Sequence, residues 1–290
     1  MTYLLAIGDR SYSSWSLRGW LLFDVFGIPV KTQNIDFYAA SVAEQLSDFA
    51  PARTVPVLKT AEGTIIPDSL AIAEELASRH PDAGLWPTGP SARATARALA
   101  AEMHSGFSAL RTDCPMNLRT GYRDVPVSED VKADLARLEE IWSDARTRHG
   151  TSTPWLTGDY SVADAFYAPV AARIAGYGLP VGPDAQDYVE AHLAHPSFRR
   201  WRAMGLAKGA TLPWYDRDYP KVVWPGPTNP AAKAVDAGPA ENTHCPYSGD
   251  PVTHFLEFEG PVFGFCNAFC RDKTVADPEA WTDFVALART

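Results

Sequence analysis

Two short stretches decide how this chain is read: Thr54-Val55-Pro56-Val57-Leu58, and then Pro67-Asp68-Ser69-Leu70. The first is an apolar run with a proline inside it. Proline has no N–H to give to a strand ladder, so it belongs at a strand start, an edge or a turn. A cis bond fits there, and would leave the backbone of Val55 free to pair with an extended peptide. The second stretch puts Asp68-Ser69 just before a helical pattern running from Leu70 to Leu76. A helix start gathers unpaired N–H groups, which suit a carboxylate. Together the two stretches describe a small-peptide site, with a backbone edge for the peptide bond and a helix start for the acid end.

Working outward, residues 2–7 (TYLLAI) read as a short buried strand. Apolar residues at 15, 17, 20, 21, 22, 25 and 26 form a helical stripe from Ser14 to Phe26, which Gly27 ends. Val30 to Phe37 is a second strand candidate. Val55–Lys59 and Gly63–Ile66 make a hairpin around Ala61-Glu62-Gly63. Helix 70–79 closes the unit at His80-Pro81-Asp82-Ala83-Gly84. The order β-α-β, β-β-α is that of a thioredoxin-like α/β domain over residues 1–83.

From Ser91 the pattern turns to long helices, giving an all-helical region over 90–208. Ala92–Arg111 carries Leu99, Met103, Phe107 and Leu110 on one side. Ser128–His149 carries Val131, Leu135, Leu138 and Trp142. Ser161 to Asp164 opens a third helix as a capping box, and Tyr188 to Ala207 gives a fourth. Residues 209–242 hold Trp214, Trp224 and many prolines, and read as an extended linker. Residues 243–290 form a distinct cysteine-bearing unit.

Composition narrows the function classes. The chain has 290 residues, 46% hydrophobic and 21% charged, as an ordinary globular protein does. A net charge of -9 argues against nucleic acid or an anionic membrane as the main partner. The N-terminal MTYLLAIGDRSYSSW lacks a basic segment and a long apolar core, so no signal peptide is expected. No run of apolar residues is long enough to span a bilayer. Four cysteines without a visible leader point to a reducing cytoplasm, with metal or free thiols ahead of disulfides.

Over roughly residues 3–207 the chain resembles the glutathione transferases. In that family the thioredoxin-like domain binds glutathione as co-substrate, and the helical domain walls the second substrate. Val55-Pro56 resembles the family's cis-proline pair, whose preceding backbone bonds the cysteinyl part of glutathione. Asp68-Ser69 resembles the residues that hold the γ-glutamyl end, and Ser161–Asp164 the box that starts the buried helix. Ser11-Tyr12-Ser13-Ser14-Trp15-Ser16-Leu17-Arg18 is similar to the Ser-Ser-Cys-Ser-Trp run of the zeta class, the maleylacetoacetate isomerases. Matching the Ser-Trp pair without gaps puts Ser11 under the catalytic serine and Ser13 under the cysteine. The hydroxyl that does the chemistry stays open among Ser11, Tyr12, Ser13 and Ser14. The resemblance further implies a small electrophilic substrate and a homodimer.

The chemistry explains why a hydroxyl is wanted. A free thiol has a pKa of about 8.5, and only its thiolate attacks. A serine O–H donated to sulfur near a helix N-terminus favours the anion, at about 1.4 kcal/mol for each unit of lowered pKa. Arg53 precedes Val55 by two positions, where it would reach the glycine carboxylate of glutathione. His104, Ser108 and Arg111 share a face of helix 92–111 and would line the second-substrate pocket, with Arg111 attracting an anion. Arg173 falls near an arginine that holds substrate in the zeta class.

The C-terminal unit spaces its cysteines as Cys245-x20-Cys266-x3-Cys270. Thr253–Phe258 and Pro261–Phe265 read as strands turned at Glu259-Gly260. Cys266 and Cys270 then share one side of a helix start. A knuckle, hairpin and helix start present thiolates to zinc, and the unit resembles the YHS and TRASH-type metal-binding modules. The expected fold is a small cysteine-containing ββα module of zinc-finger type. A fourth ligand would be His244, His254 or Asp272. The expectation as a whole is a glutathione transferase with a metal-binding tail. Two alternatives stand beside it, a non-catalytic glutathione-fold binding protein and a metal sensor acting through the tail.

Overall fold

The computed structural model describes residues 2–150, 152–209 and 211–289. Contacts divide the chain into two compact units, Met1–Leu193 with Leu212–Pro225, and Ala194–Thr211 with Gly226–Thr290.

The first unit begins with β1 (Tyr3–Ile7), α1 (Ser14–Asp24), β2 (Val30–Asn34), α2 (Val42–Gln45), β3 (Val57–Lys59), β4 (Ile65–Pro67) and α3 (Ser69–Arg79). The sheet order is β2-β1-β3-β4. β1 runs parallel to β2 and antiparallel to β3, setting Leu5 opposite Leu58. β1 is apolar along most of its length because it lies inside the sheet; Leu5, Ala6 and Ile7 are fully buried. This is the thioredoxin-like arrangement, and β2 stops at Asn34, three residues short of the expected strand end. There Asp36 takes over the backbone, accepting from the Tyr38 N–H at 2.8 Å.

Five helices follow: α4 (Pro90–Ser105), α5 (Ser108–Asp113), α6 (Glu129–His149), α7 (Val162–Tyr177) and α8 (Pro183–Ala194). The single helix expected over 92–111 is two. Gly106 leaves the helical region and Phe107 takes φ 57°, so the chain turns and buries the Phe107 ring. His104 and Arg111 therefore belong to different helices. α7 is buried on nearly every side. At its start Asp164 accepts from the N–H groups of Ser161 (2.8 Å) and Leu156 (3.2 Å) and from the Tyr188 hydroxyl (2.9 Å). Burial still raises its pKa above the usual carboxylate value. The short β5 (Gly121–Tyr122) pairs with β6 (Lys221–Val222), which binds the 212–225 segment to this unit.

The second unit contains α9 (Pro196–Ala207), β7 (Ala232–Val235), β8 (His254–Phe258), β9 (Val262–Phe265), α10 (Ala268–Ala276) and α11 (Thr282–Ala288). The helix expected over 188–207 is broken by Pro196, which cannot continue α8. The stretch read as a linker over 209–242 contributes strands to both units. β7 pairs antiparallel with β8, and β8 with β9, so the hairpin expected alone is a three-stranded sheet. Glu259 and Gly260, both at positive φ, turn β8 into β9. Leu256, Phe263, Phe265 and Phe284 form the core with Ala203 of α9. Arg199 grips Asp277 with two bonds, at 2.7 and 2.9 Å. No helix among the described residues is long and apolar enough to cross a membrane.

Candidate active site

The Val55–Pro56 bond is cis, and β3 begins only at Val57, so the Val55 backbone lies outside the ladder. Val55 and Pro56 line a cavity of about 440 Å³ together with Ser13, Arg53, Thr54, Asp68 and Ser69. Gly19 lets α1 lie directly on this turn: a Cβ there would meet Pro56 carbons at 2.9 Å.

Asp68 sits at φ 82° as the N-cap of α3, and its Oδ1 accepts from the N–H groups of Leu70 (2.7 Å) and Ala71 (3.2 Å). The Ser69 hydroxyl beside it is buried with no hydrogen-bond partner among the described residues. An orphaned buried hydroxyl facing a cavity at a helix start is what a missing carboxylate would satisfy.

A second cavity of about 390 Å³ is lined by Tyr12, Ser13, Ser14, Ser108, Arg111 and Arg173 among others. Ser13, Trp15 and Tyr215 line both cavities. Arg173 is buried, donating from Nε to the Cys114 carbonyl at 2.9 Å and from a terminal nitrogen to Ser14 Oγ at 3.4 Å. Burial, with Arg111 nearby, lowers its pKa to about 10, so it keeps its charge at neutral pH. Arg111 stacks over the Trp15 ring at 4.8 Å. The Arg18 guanidinium also lies over this aromatic group, 4.6 Å from the Trp15 ring and 5.2 Å from that of Phe166.

The four candidate hydroxyls are not equivalent. A turn in which the Tyr12 and Ser13 N–H groups bond the Asp9 carbonyl folds Ser11 inward. The Ser11 carbonyl accepts from Leu118 N–H, its Oγ accepts from Arg119 at 3.3 Å, and it lines neither cavity. The gap-free register thus points at a residue turned away from both cavities. Burial raises the Tyr12 phenol above its usual pKa. Ser13 lines both cavities as the N-cap of α1, but its proton goes to Ser16 Oγ at 2.8 Å, which also accepts from Gly8 N–H. Ser14 faces the second cavity alone.

His104 is also placed otherwise than expected. It lines neither cavity, and its Nε2 lies 3.1 Å from Asp68 Oδ2. Its ring stands edge-on to Trp15 at 5.2 Å. With the helix broken after Ser105, His104 braces the α3 N-cap while Ser108 and Arg111 go to the second cavity. Tyr215 was missed because it lies in the Pro/Trp-rich segment, where no periodicity marks a side chain; the dense aromatic run Trp214-Tyr215 was the available signal.

In the second unit the sulfurs of Cys245, Cys266 and Cys270 lie within 4.8 Å of one another. Burial raises the Cys245 thiol, but the backbone N–H groups of Cys266, Tyr247 and Ser248 outweigh it and bring the pKa down to about 7. Burial and its neighbours push Cys270 up to about 12. Asn267 and Ser248 donate to Cys266 Sγ at 3.2 and 3.3 Å. His244 does not join the group: it is exposed, bridged to Pro251, and its Nδ1 pairs with Thr243 Oγ1 at 2.9 Å. Among the described residues no fourth His, Asp or Glu comes within that cluster. Cys114, buried in the first unit, is pushed up to about 11 and is chemically quiet.

A family model for the glutathione S-transferase N-terminal domain matches residues 12–79. A probable maleylacetoacetate isomerase of Caenorhabditis elegans is 33% identical over 178 residues, covering 60% of this chain and 79% of that protein. A maleylacetoacetate isomerase of Pseudomonas aeruginosa is 29% identical over 159 residues, covering 52% and 71%. A glutathione transferase homolog from Burkholderia, crystallised with bound glutathione, shares the fold at TM-score 0.54 and 22% identity, covering 71% of this chain and 98% of that one. Omega-type glutathione transferase 3C of Trametes versicolor does so at 0.53 and 19%, covering 69% and 87%. With the cis-proline turn, the capped α3 and this relationship all in one domain, the chain belongs to the glutathione S-transferase family.

Proposed function

We propose that the chain binds glutathione along the first cavity and presents its thiol to a small anionic electrophile in the second, for conjugation or glutathione-assisted isomerisation. One observation carries the reading: the buried, unpartnered Ser69 hydroxyl at the α3 N-terminus, in one cavity with Val55, Pro56 and Arg53. Glutathione supplies the nucleophilic thiol. Ser69, Asp68 and the α3 N–H groups take the γ-glutamyl end, the Val55 backbone takes the cysteinyl amide, and Arg53 takes the glycine carboxylate. This directs the thiol towards Ser13 and Ser14 at the α1 N-terminus, whose dipole favours an anion.

Arg111 and Arg173 set the charge of the second substrate. A dicarboxylate of the maleylacetoacetate kind, named for the two curated relatives, suits them. Ser13 stands where the resembling run has cysteine, so conjugation stays beside isomerisation as the reaction. The alternative of a non-catalytic binding protein has no observation of its own in its favour. Retention on glutathione resin and turnover of an aryl halide or of maleylacetoacetate test the reading. The absence of both retention and turnover would overturn it.

We further infer that Cys245, Cys266 and Cys270 hold zinc. Three sulfurs of suitable spacing support this, with the fourth position supplied by solvent or another small donor in place of His244. The free state of all four cysteines suits a reducing cytoplasm, and the family likeness suits a homodimer.

A further inference from the structure

The segment 212–225 does more than join two parts of the chain. Asp216 accepts from the Asn117 amide at 3.1 Å and from Lys221 at 2.9 Å. Thr120 donates to the Val222 carbonyl at 3.1 Å, and Arg123 N–H to the Pro220 carbonyl at 3.0 Å. These bonds, with the β5–β6 pairing, fix the segment onto the first unit and hold Tyr215 in place. Its ring packs on Tyr12 at 5.0 Å, and Trp214 beside it meets Tyr38 at 5.1 Å.

Three residues line both cavities, and the fate of their polar groups separates them. The Ser13 proton is already given to Ser16. The Trp15 ring is already in cation–π contact with the guanidinium groups of Arg18 and Arg111. Among the described residues no hydrogen bond engages the Tyr215 hydroxyl, and it is not sealed from solvent. The charges that face it are Arg173 and Asp9. A phenol has one proton to give and a rigid ring to aim it.

We propose that Tyr215, carried in by the segment that follows the helical domain, donates the hydrogen bond that stabilises the thiolate where the two cavities meet. This rests on the glutathione reading above and adds a catalytic residue to it. Ser13 then acts as the cap that orders α1, and Tyr215 supplies the proton donor that the zeta-like serine run was expected to provide alone. A hydrogen bond to a charged acceptor matters more than one to a neutral group, so its loss is measurable.

The test compares wild type with Tyr215→Phe, which keeps the ring against Tyr12, and with Ser13→Ala. Ultraviolet absorbance of the thiolate is followed against pH with glutathione bound, alongside calorimetric affinity and kcat. Tyr215→Phe is expected to hold glutathione affinity near the wild-type value while raising the bound thiol's pKa by about one unit, a roughly tenfold smaller thiolate fraction at pH values below both titrations. kcat falls in parallel. Preserved affinity shows that the variant is folded. Binding by wild type and Tyr215→Phe alike, with the same thiol titration in the two, overturns the Tyr215 assignment alone. Absence of glutathione binding by the wild type overturns this assignment together with the reading beneath it.

Discussion

His104 Nε2 stands 3.1 Å from one oxygen of the Asp68 carboxylate while the other oxygen caps α3. A carboxylate only accepts, so Nε2 carries the hydrogen, leaving the buried Nδ1, which has no hydrogen-bond partner among the described residues, as the other ring nitrogen. Asp68 is thus held from two sides in a backbone conformation that L-residues rarely adopt. His104→Ala is expected to raise the KM for glutathione about tenfold while kcat at saturation changes little, because the loosened carboxylate is one proposed to hold the γ-glutamyl end. Steady-state kinetics varying glutathione alone checks this. An effect on kcat with KM unchanged would contradict it.

Removing the orphan hydroxyl separates binding from stability. Ser69→Ala takes away a buried polar group that has no hydrogen-bond partner among the described residues, so folding stability is unchanged or slightly higher. Glutathione affinity falls by about tenfold, corresponding to one lost bond to a carboxylate. Paired denaturant melts and calorimetry read both effects from one preparation.

Gly19→Ala tests the contact between α1 and the cis-proline turn. The added methyl falls 2.9 Å from Pro56 carbons and has no flexible side chain to push aside. The expected cost is about 1–3 kcal/mol of stability, with weaker glutathione binding as the Val55–Pro56 turn shifts. Thermal melts and resin retention measure the two.

Asp164 is a buried hub for Ser161, Leu156 and Tyr188. Asp164→Ala strands these donors and is expected to cost about 3–5 kcal/mol, as when one partner of a buried charged network is removed. Its native pKa is raised by burial, so the folded state binds the proton more tightly than the unfolded one does. Wild type therefore gains stability relative to Asp164→Asn as pH falls through the range just above the ordinary carboxylate pKa, and loses that gain as pH rises again. Denaturant melts of both proteins across that range give the sign directly.

Zinc measured by atomic emission is expected near one ion per chain in protein purified without chelator. Cys266→Ser should remove it, and His244→Ala should leave it in place, since His244 points to Thr243. Loss of zinc in both variants would restore histidine as a ligand.

Much of the fold was legible because its signals are local. The apolar run at Leu4–Ile7, the stripe through Trp15–Phe26 and the Ser161–Asp164 box each depend on near neighbours. The grouping of Val55, Pro56, Asp68 and Ser69 around one cavity was legible for the same reason: a proline in a strand-like run and an acid at a helix start are short patterns. What escaped depends on breaks and long-range packing. Gly106–Phe107 interrupts a stripe that stays apolar through the break, so periodicity runs past it and carries His104 to a cavity it does not line. Pro196 hides in a pattern that is helical on both sides. Tyr215 and the strand Ala232–Val235 lie where prolines and glycines mask any period, and only pairing with residues far along the chain reveals them.

The division of the chain has a practical meaning for anyone wishing to take the protein apart. It leaves the first unit after Leu193, returns at Leu212 and leaves again after Pro225. No single cut separates the units. A fragment beginning at residue 243 would lack the strand Ala232–Val235 and bare the backbone of its neighbour His254–Phe258, inviting edge-to-edge association. A chain ending at residue 208 would keep Pro196–Ala207 without its core partners and lose Tyr215 altogether. The segment 212–225 is spliced at both ends into the cysteine-bearing unit, so melting that unit leaves both ends of the segment untethered beyond its own pairing. Fragment studies of this protein need a circular permutation or an internal replacement of 212–225 by a short linker, with Tyr215 supplied or deliberately removed.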